Sequence, residues 1–297
     1  MKLCLGTVQF GMNYGIRGQE QPSVEQAVEI LDYATQNGIN TIDTANAYGT
    51  AEDVVGKFLS KNTISRDKLC IISKFRPNLL DDVDTEKYYS IMKNNLENTL
   101  SRLGIEYLDT YLLHSARYVY NDAIIDTLDR IKKEGYAVKV GVSVYEPDEA
   151  KRCIENEKID FMQLPFSIFD QRMSNAGIFD IAKDGNIQIH SRSAFIQGLI
   201  LMNESEVPDF LYRAKPIVKK IDELCKRYEI SRIALAMGFV KNHDAISHLV
   251  FGVDNIDQLK ENIKLFEISI PSYIIKSISD EFTDIEADIV MPSLWKK

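Results

Sequence analysis

The chain has 297 residues, room for one large domain or two small ones at ~100–200 residues per domain. Lys and Arg number 35 against 44 Asp and Glu, and the resulting formal charge of −9 argues against a general nucleic-acid binder, because phosphate binding draws on an excess of basic charge. Hydrophobic residues make up 45% and charged residues 27%, which excludes a disordered chain.

Short apolar runs alternate with helical patterns along the chain. A first strand is expected at Leu3–Leu5, almost at Met1. Ser23 then offers an N-cap for a helix reaching Asn37, with Val24, Ala27, Val28, Leu31 and Ala34 at helical spacing and Gly38 just beyond. Thr41–Asp43 and Leu69–Lys74 read as strands, followed by a helix from Thr85 to Leu103 that stops before Gly104. Leu108–His114 is the fourth strand, and a helix from Asp122 to Lys133 ends before Gly135. Val138–Val144 leads into a helix opened by Pro147 that reaches Asn156. Phe161–Leu164 and Ile187–Ser191 follow. Helices at Lys215–Tyr228 and Ser231–Asn242 separate them from the eighth strand, Leu249–Phe251, and Asp257–Phe266 is the last helix.

Runs of this length suit fully buried parallel strands. Strand–helix alternation fits a closed (β/α)8 barrel or a doubly wound open sheet. The barrel is favoured on two grounds. The length is near the ~250 residues typical of that fold. No G-x-G-x-x-G follows the first strand, since Gly6, Gly11, Gly15 and Gly18 lack that spacing. No Pro/Gly/Ser linker interrupts the chain, so residues 1–297 read as a single domain, with 267–297 as a C-terminal segment near the pocket.

Cys4, Cys70, Cys153 and Cys225 lie far apart with no CxxC pair, and His114, His190, His243 and His248 form no HExxH, so no metal site is expected. No stretch approaches the ~20 apolar residues of a membrane span, and Gly6, Gln9 and Asn13 come too early for a secretory apolar region. These features predict a cytoplasmic protein with no membrane or nucleic-acid partner. Its oligomeric state is not legible.

In a (β/α)8 barrel, chemistry sits where the strands end, on the C-terminal face. Asp43, Lys74 and His114 each close an apolar run, and Tyr48 follows Asp43 by five residues. Taken singly, each has an ordinary explanation: a turn former, a solvated cation, a packing histidine, a loop aromatic. On successive strands two, three and four they form a set. Asp43 and Lys74 would pair, since neither tolerates burial alone. The Lys74 cation would favour the phenolate and make Tyr48 a better proton donor near neutral pH. His114 could hold a carbonyl oxygen. Such a set polarises a carbonyl.

These residues sit in stretches that resemble the aldo-keto reductase family. Leu5-Gly6-Thr7 with Phe10-Gly11 opens the match. Asn40 to Ala45 then runs to Tyr48-Gly49 and Glu52, followed by Ile72-Ser73-Lys74, Leu100, Leu103-Gly104 and Asp109 to His114. Val250 to Val253 leads into Gln258-Leu259 and Glu261-Asn262, so the resemblance spans residues 3 to 265. It implies a barrel that binds NADPH, or NADH, across the C-terminal rim and reduces a small-molecule aldehyde or ketone by hydride transfer. The resemblance makes Tyr48 the general acid, Lys74 its activator, Asp43 the partner of Lys74 and His114 the group that orients the carbonyl. It also implies Gly6, Thr7 and Asp43 at the cofactor, Ser143 and Gln163 on the nicotinamide carboxamide, and Ser193 through Gly198 at the pyrophosphate. Gly252, Asn255, Gln258, Glu261 and Asn262 then fall on the adenosine side.

This sequence departs from the family pattern at several positions. Arg192 stands where an aromatic residue commonly stacks on the nicotinamide, a cofactor position at which a guanidinium either stacks or points at a phosphate or a substrate carboxylate, and Val144 stands where an Asn commonly follows Ser143. Gly252-Val253-Asp254-Asn255 supplies no positive charge for a 2′-phosphate, and Gln258 replaces a frequent Arg. With the first strand expected almost at Met1, the N-terminal hairpin usual in the family is not expected here. Arg117, Tyr118, Tyr120, Gln171 and Arg172 are candidate contacts for a sugar-like or otherwise polar carbonyl. Two other readings carry less weight: a low-turnover regulatory or redox-sensing subunit on the same barrel, and a lyase using Lys74 as a Schiff base. Against the second, Asp43 would keep Lys74 charged.

Overall fold

Eight parallel strands close on themselves in chain order: β1 (Lys2–Gly6), β2 (Thr41–Asp43), β3 (Cys70–Phe75), β4 (Leu108–Leu113), β5 (Ala137–Ser143), β6 (Phe161–Pro165), β7 (Gln188–Arg192) and β8 (Ile246–Phe251). The computed structural model describes residues 1–61, 64–185 and 187–296. Closure is made by β8 against β1, from Lys2↔His248 to Leu5↔Phe251, so the open-sheet alternative does not hold. The strands are nearly all buried along their length, as parallel strands walled by helices must be.

The outer layer consists of α1 (Val24–Gln36), α2 (Ala51–Lys61), α3 (Tyr88–Leu103), α4 (Asp122–Lys133), α5 (Pro147–Ile154), α6 (Arg172–Asn175), α7 (Ile178–Asp184), α8 (Lys215–Tyr228), α9 (Arg232–Lys241) and α10 (Ile256–Phe266). Their starts are set by local chemistry. Ser23 and Gln26 form a reciprocal capping box at α1, and Asn121, Ser231 and Asn255 accept backbone N–H bonds at the starts of α4, α9 and α10. Along α4, Ile124, Ile125, Leu128 and Ile131 turn inward while Arg130, Lys132 and Lys133 stay in the last turn, where they suit the helix dipole. Both α8 and α9 lie between β7 and β8, matching the two helices expected there.

Several boundaries differ from the sequence reading. His114 lies one residue past β4, which places its ring on the rim. β8 begins at Ile246, because the polar Ser247-His248 pair is strand, pairing across to β7 and β1. The sequence pattern does not mark helices α2 and α7. α2 buries Val54, Val55 and Phe58, but the charged residues around them break an obvious stripe. After α10 the chain folds into α11 (Ser272–Glu281) and α12 (Ala287–Val290), also unmarked by the pattern. Arg213 holds this segment through Glu286 and Asp288, and Pro292 and Ser293 reach the cleft at the C-terminal rim. No helix among the described residues is long and apolar enough to cross a membrane.

Candidate active site

Asp43 ends β2, and Lys74 is the penultimate residue of β3, so neighbouring strands bring the two side chains together inside the barrel mouth. Lys74 Nζ donates to Asp43 Oδ1 at 2.6 Å and to the Thr44 carbonyl at 2.9 Å. The second Asp43 oxygen accepts from Gln163 Nε2 at 2.8 Å. Lys74 is fully buried and Asp43 nearly so, so each depends on the other for its charge. Lys74 Nζ also lies 3.5 Å from Tyr48 Oη. The His114 ring meets the Tyr48 ring edge-on, with centroids 5.6 Å apart, and its buried Nδ1 has no hydrogen-bond partner among the described residues.

The protonation of this group follows from its surroundings. Burial works against the Lys74 ammonium, but the Asp43 carboxylate and the Tyr48 oxygen outweigh it and hold the pKa above the usual lysine range. A neutral Schiff-base lysine is therefore disfavoured here. Burial, reinforced by the Lys74 and Arg192 cations, pushes His114 down to about 3, so the ring is neutral at physiological pH. Burial raises the Tyr48 phenol, and the Lys74 cation pulls it back only in part. Lys74 acts in the expected direction on the phenol, against the larger effect of its burial.

The turn that carries Tyr48 is fixed by backbone contact and by a second ion pair, whose carboxylate is buried. A Cβ on Gly11 would sit 1.7 Å from the Tyr48 carbonyl oxygen, so the β1–α1 loop and the Tyr48 turn approach backbone to backbone. Glu52, fully buried, accepts from Ser73 Oγ at 2.7 Å and from Arg102 at 3.0 Å. Arg102 also donates to the Gly49 carbonyl at 2.6 Å. Glu52 thus braces the residue beside Lys74 to the residue beside Tyr48. The sequence marked Glu52 only as part of a motif, and Arg102 not at all.

A cleft of about 660 Å³ opens over this group. Gly6, Thr7, Asp43, Tyr48 and His114 line one side, with Ser143 at the end of β5 and Gln163 in the middle of β6. Arg192, Ser193 and Gly198 line it from the β7 side, and Gly252, Gln258, Glu261 and Asn262 from the β8 side. Lys74 lies behind Tyr48 and outside the lining. Asn255 is not brought to the cleft either, since its side chain caps α10 by accepting from Gln258 N at 2.9 Å. Gln258 is tied to Asp254, accepting from its N–H at 2.8 Å.

Other predicted contacts are committed elsewhere. Arg117 pairs with Asp81, and Tyr118 donates to Asp81 at 2.8 Å. Gln171 is buried against Ser279, and Arg172 is taken up by Asp170 and Glu146. The cleft instead recruits residues that the sequence did not mark, Gln9, Tyr14 and Tyr145, together with Gln197 of the expected Ser193–Gly198 loop and Pro292 and Ser293 of the C-terminal segment. Tyr14 and Gln19 bridge the β1–α1 loop into a small hairpin, which donates from Ile16 N to the Gln197 carbonyl at 3.0 Å. No periodicity marks such a loop.

The loop after β7 has an unusual backbone. Ser193, Ile196 and Gln197 adopt φ of 65°, 47° and 53°, and Gly198 follows at 99°. A β-branched residue in that region is a strained outlier, and such strain collects at ligand clamps. Left-handed residues in a turn also aim backbone N–H groups into one concavity, which suits a phosphate. Buried Gln9 Oε1 and His114 Nδ1, both unpartnered in cleft-lining residues, add polar atoms that a ligand can satisfy. These features fit a dinucleotide lying along the rim.

A closed parallel barrel whose rim gathers a buried Lys–Asp pair, a tyrosine and a neutral histidine is the framework of a carbonyl oxidoreductase. The profile of the Aldo/keto reductase family matches residues 2–281, and the chain belongs to that family. It is similar to the uncharacterized oxidoreductase YrpG of Bacillus subtilis, 25% identical with 95% of this chain and 92% of the relative covered. The NADH-specific methylglyoxal reductase of Escherichia coli is also 25% identical, with coverage of 82% and 83%. An aldo-keto reductase from Bacillus halodurans, solved in its holo form, superposes with a TM-score of 0.77 at 21% identity over 97% of this chain and 94% of that one. The protein is therefore an NAD(P)H-dependent oxidoreductase that reduces carbonyls.

Proposed function

We propose that Tyr48 is the general acid that protonates the substrate oxygen, with Lys74 as its activator, Asp43 as the partner that keeps Lys74 charged, and His114 as the group that orients the carbonyl. One observation carries this reading: Lys74 Nζ stands between Asp43 Oδ1 at 2.6 Å and Tyr48 Oη at 3.5 Å, beside a histidine whose Nδ1 is unpartnered. Bound NAD(P)H supplies the hydride. Tyr48 gives its proton to the oxygen as negative charge develops there, and the neighbouring ammonium stabilises the phenolate left behind. Neutral His114 offers a hydrogen bond without adding charge.

For the cofactor, we assign Ser143 and the free Gln163 oxygen to the carboxamide, the Ser193–Gly198 loop to the pyrophosphate, and Glu261 and Asn262 to the adenine side. Gly6, Thr7 and Gly252 form the adjoining floor. Asn255 acts through α10 by capping it, and Gln258 acts together with Asp254. The substrate is a small, polar, sugar-like or dicarbonyl compound, in keeping with the phenols of Tyr14, Tyr48 and Tyr145 around the cleft and with the methylglyoxal reductase among the relatives. Four unpaired cysteines favour a reducing compartment, the cytoplasm.

Tyr48→Phe tests the assignment. Cofactor affinity, read by fluorescence titration, is expected to stay within about twofold, because the aromatic ring remains and only a hydroxyl is lost. Single-turnover reduction is expected to fall ~10²–10⁴-fold, the usual worth of a general acid. Full single-turnover rates in the variant would remove Tyr48 from this role.

A further inference from the structure

The His114 ring is not anchored at its buried nitrogen. Nδ1 has no hydrogen-bond partner among the described residues, and Tyr48 meets the ring edge-on. A side chain held so lightly takes its orientation from the backbone, because the allowed rotamers follow φ and ψ. On one side that backbone is fixed by the barrel. Leu113, the last residue of β4, pairs with Phe75 of β3 and Val142 of β5. On the other side of His114 the chain has left the sheet.

Past the strand, residues 115–118 are tied to the loop that follows β3. Ser115 Oγ accepts from Asn78 N at 3.1 Å and donates to Asn78 Oδ1 at 3.1 Å, a reciprocal pair. Tyr118 Oη accepts from Leu80 N at 3.0 Å and donates to Asp81 Oδ1 at 2.8 Å. Burial, with the Asp81 hydrogen bond, pushes the Tyr118 phenol up to about 12, so it stays a donor at neutral pH. Arg117 also donates to Asn78 and pairs with Asp81, but its guanidinium is exposed, and exposed pairs contribute little. The hold comes from the two buried members, Ser115 and Tyr118. Asn78 sits at φ of 67°, a left-handed turn that Asn tolerates better than most residues.

We propose that the loop after β3 positions His114, with Asn78 acting through Ser115, and Tyr118 through its bonds to Leu80 and Asp81. The inference rests on His114 being the group that orients the carbonyl. β3 delivers Lys74, and the same chain then runs straight into the loop that carries Asn78. One continuous segment therefore bears the activator of the acid and fixes the flank of the histidine, which keeps the two in register. Asn78, Ser115 and Tyr118 are all outside the lining of the cleft, so they act through the main chain of 114–118 and not by touching substrate. Such indirect support matters at a reacting centre, where a misplacement of ~1 Å caused by a remote substitution can cost ~10²-fold in rate.

Combining Asn78→Gly with Tyr118→Phe opens the clamp and spares the rest, because Gly accepts the positive φ and Phe keeps the ring packing. Diacetyl is a prochiral dicarbonyl. Its reduction places a hydride on one face of a carbonyl carbon and a proton on the oxygen, giving acetoin. In the double variant, with NADPH bound, kcat/KM is expected to fall roughly 10–100-fold and the ratio of acetoin enantiomers to move toward one, while NADPH affinity stays within about twofold. Asn78→Asp, used in place of Asn78→Gly, keeps the Oδ1 acceptor and tolerates the turn, so it should recover part of both losses. A purely structural role would reduce the amount of folded enzyme and leave the enantiomer ratio alone.

A second arm needs no turnover. With histidine labelled by carbon-13 at Cε1, the four rings give four NMR signals, and His114→Gln identifies the one from His114. In the holoenzyme that signal is expected to be single and sharp, and in the double variant to shift and broaden as the ring exchanges between orientations on the μs–ms timescale. An unaltered His114 signal overturns the proposal, and so do four signals that broaden alike. A change in the signal that leaves the enantiomer ratio intact, where His114→Gln alters that ratio, overturns it too. If the signal broadens but neither the double variant nor His114→Gln moves the ratio, the loop does position the ring, and it is the carbonyl-orienting role of His114 that fails.

Discussion

The two sides of the cleft achieve order by different means. On the β2–β4 side it comes from buried charge. Asp43, Lys74 and Glu52 are all withdrawn from water, and each finds ionic and hydrogen-bond partners within 3.0 Å. On the β7–β8 side it comes from backbone conformation, with non-glycine residues held at positive φ and side chains that largely bond their own segment. The first side suits the chemistry proposed for it, because a fixed proton donor in a dry site needs its charges placed in advance. The second suits the holding role proposed for it, because a strained concave loop is a form that collects at ligand clamps.

Breaking the first side should have the largest effect. Lys74→Met removes one partner of a buried pair and leaves Asp43 charged and alone, a change that typically costs ~3–5 kcal/mol. Urea unfolding should show a loss of that size, and reduction should fall with it. A loss below ~1 kcal/mol would mean that water reaches Asp43 and that the pair is not dry.

Gly198→Ala probes the second side with a smaller effect. The added Cβ would meet Ile16 Cγ2 at 3.7 Å, an ordinary contact, so space is not the issue. The cost lies in φ of 99°, where an L-residue loses ~1–2 kcal/mol. Stability should drop by that amount and NADPH affinity should weaken, because the loop relaxes away from its concave form. Unchanged unfolding with unchanged affinity would show that the loop readily adopts another conformation.

The same division decides what the sequence revealed. Asp43, Lys74 and His114 were legible because a polar residue at the end of an apolar strand is conspicuous, and Tyr48 because it follows in the next turn. The conformation of Ser193 to Gln197 was not, since nothing in Ser, Ile or Gln encodes a positive φ; the rest of the barrel imposes it. Tyr14 and Gln9 lie in an aperiodic loop whose path depends on β7. Arg117 and Tyr118 looked available for substrate because the partner that occupies them, Asp81, comes from the loop after β3, distant in sequence. Asn255 was placed at the cofactor by its neighbours in the motif, while its own side chain is spent on capping α10.

A more modest effect is expected on the adenosine side. The loop after β8 presents Asp254 and Gln258 bonded to one another, with no cation between them. Asp254→Asn combined with Gln258→Arg exchanges a negative for a positive charge at a place proposed for the 2′-phosphate. The ratio of NADPH to NADH affinity should rise ~10-fold, equivalent to about 1.4 kcal/mol. Fluorescence titration with both cofactors measures it. An unmoved ratio would put the 2′-phosphate elsewhere on the rim.

The smallest expected effect sharpens the comparison most, because it is the absence of a titration. The free enzyme's essential ionisations appear in the pH dependence of kcat/KM. Burial pushes His114 down to about 3, so the ring loses its proton well below neutrality and stays neutral as pH rises. Burial raises Tyr48 above its ordinary value near 10, and Asp43 with Tyr48 holds Lys74 above the usual lysine range, so the acid keeps its proton and the activator its charge through about pH 9. None of the three changes state between about pH 6 and 9, and kcat/KM for reduction of a neutral aldehyde should be flat across that window. A falling limb near pH 8 would mean that Lys74 wins over burial and that the phenol is acidified in the free enzyme. A limb near about 6.5 would mean a hydrated, titrating His114. Either would show that the β2–β4 side is wetter than its buried pairs indicate, and the contrast between a dry chemical side and a strained holding side would then have to be redrawn.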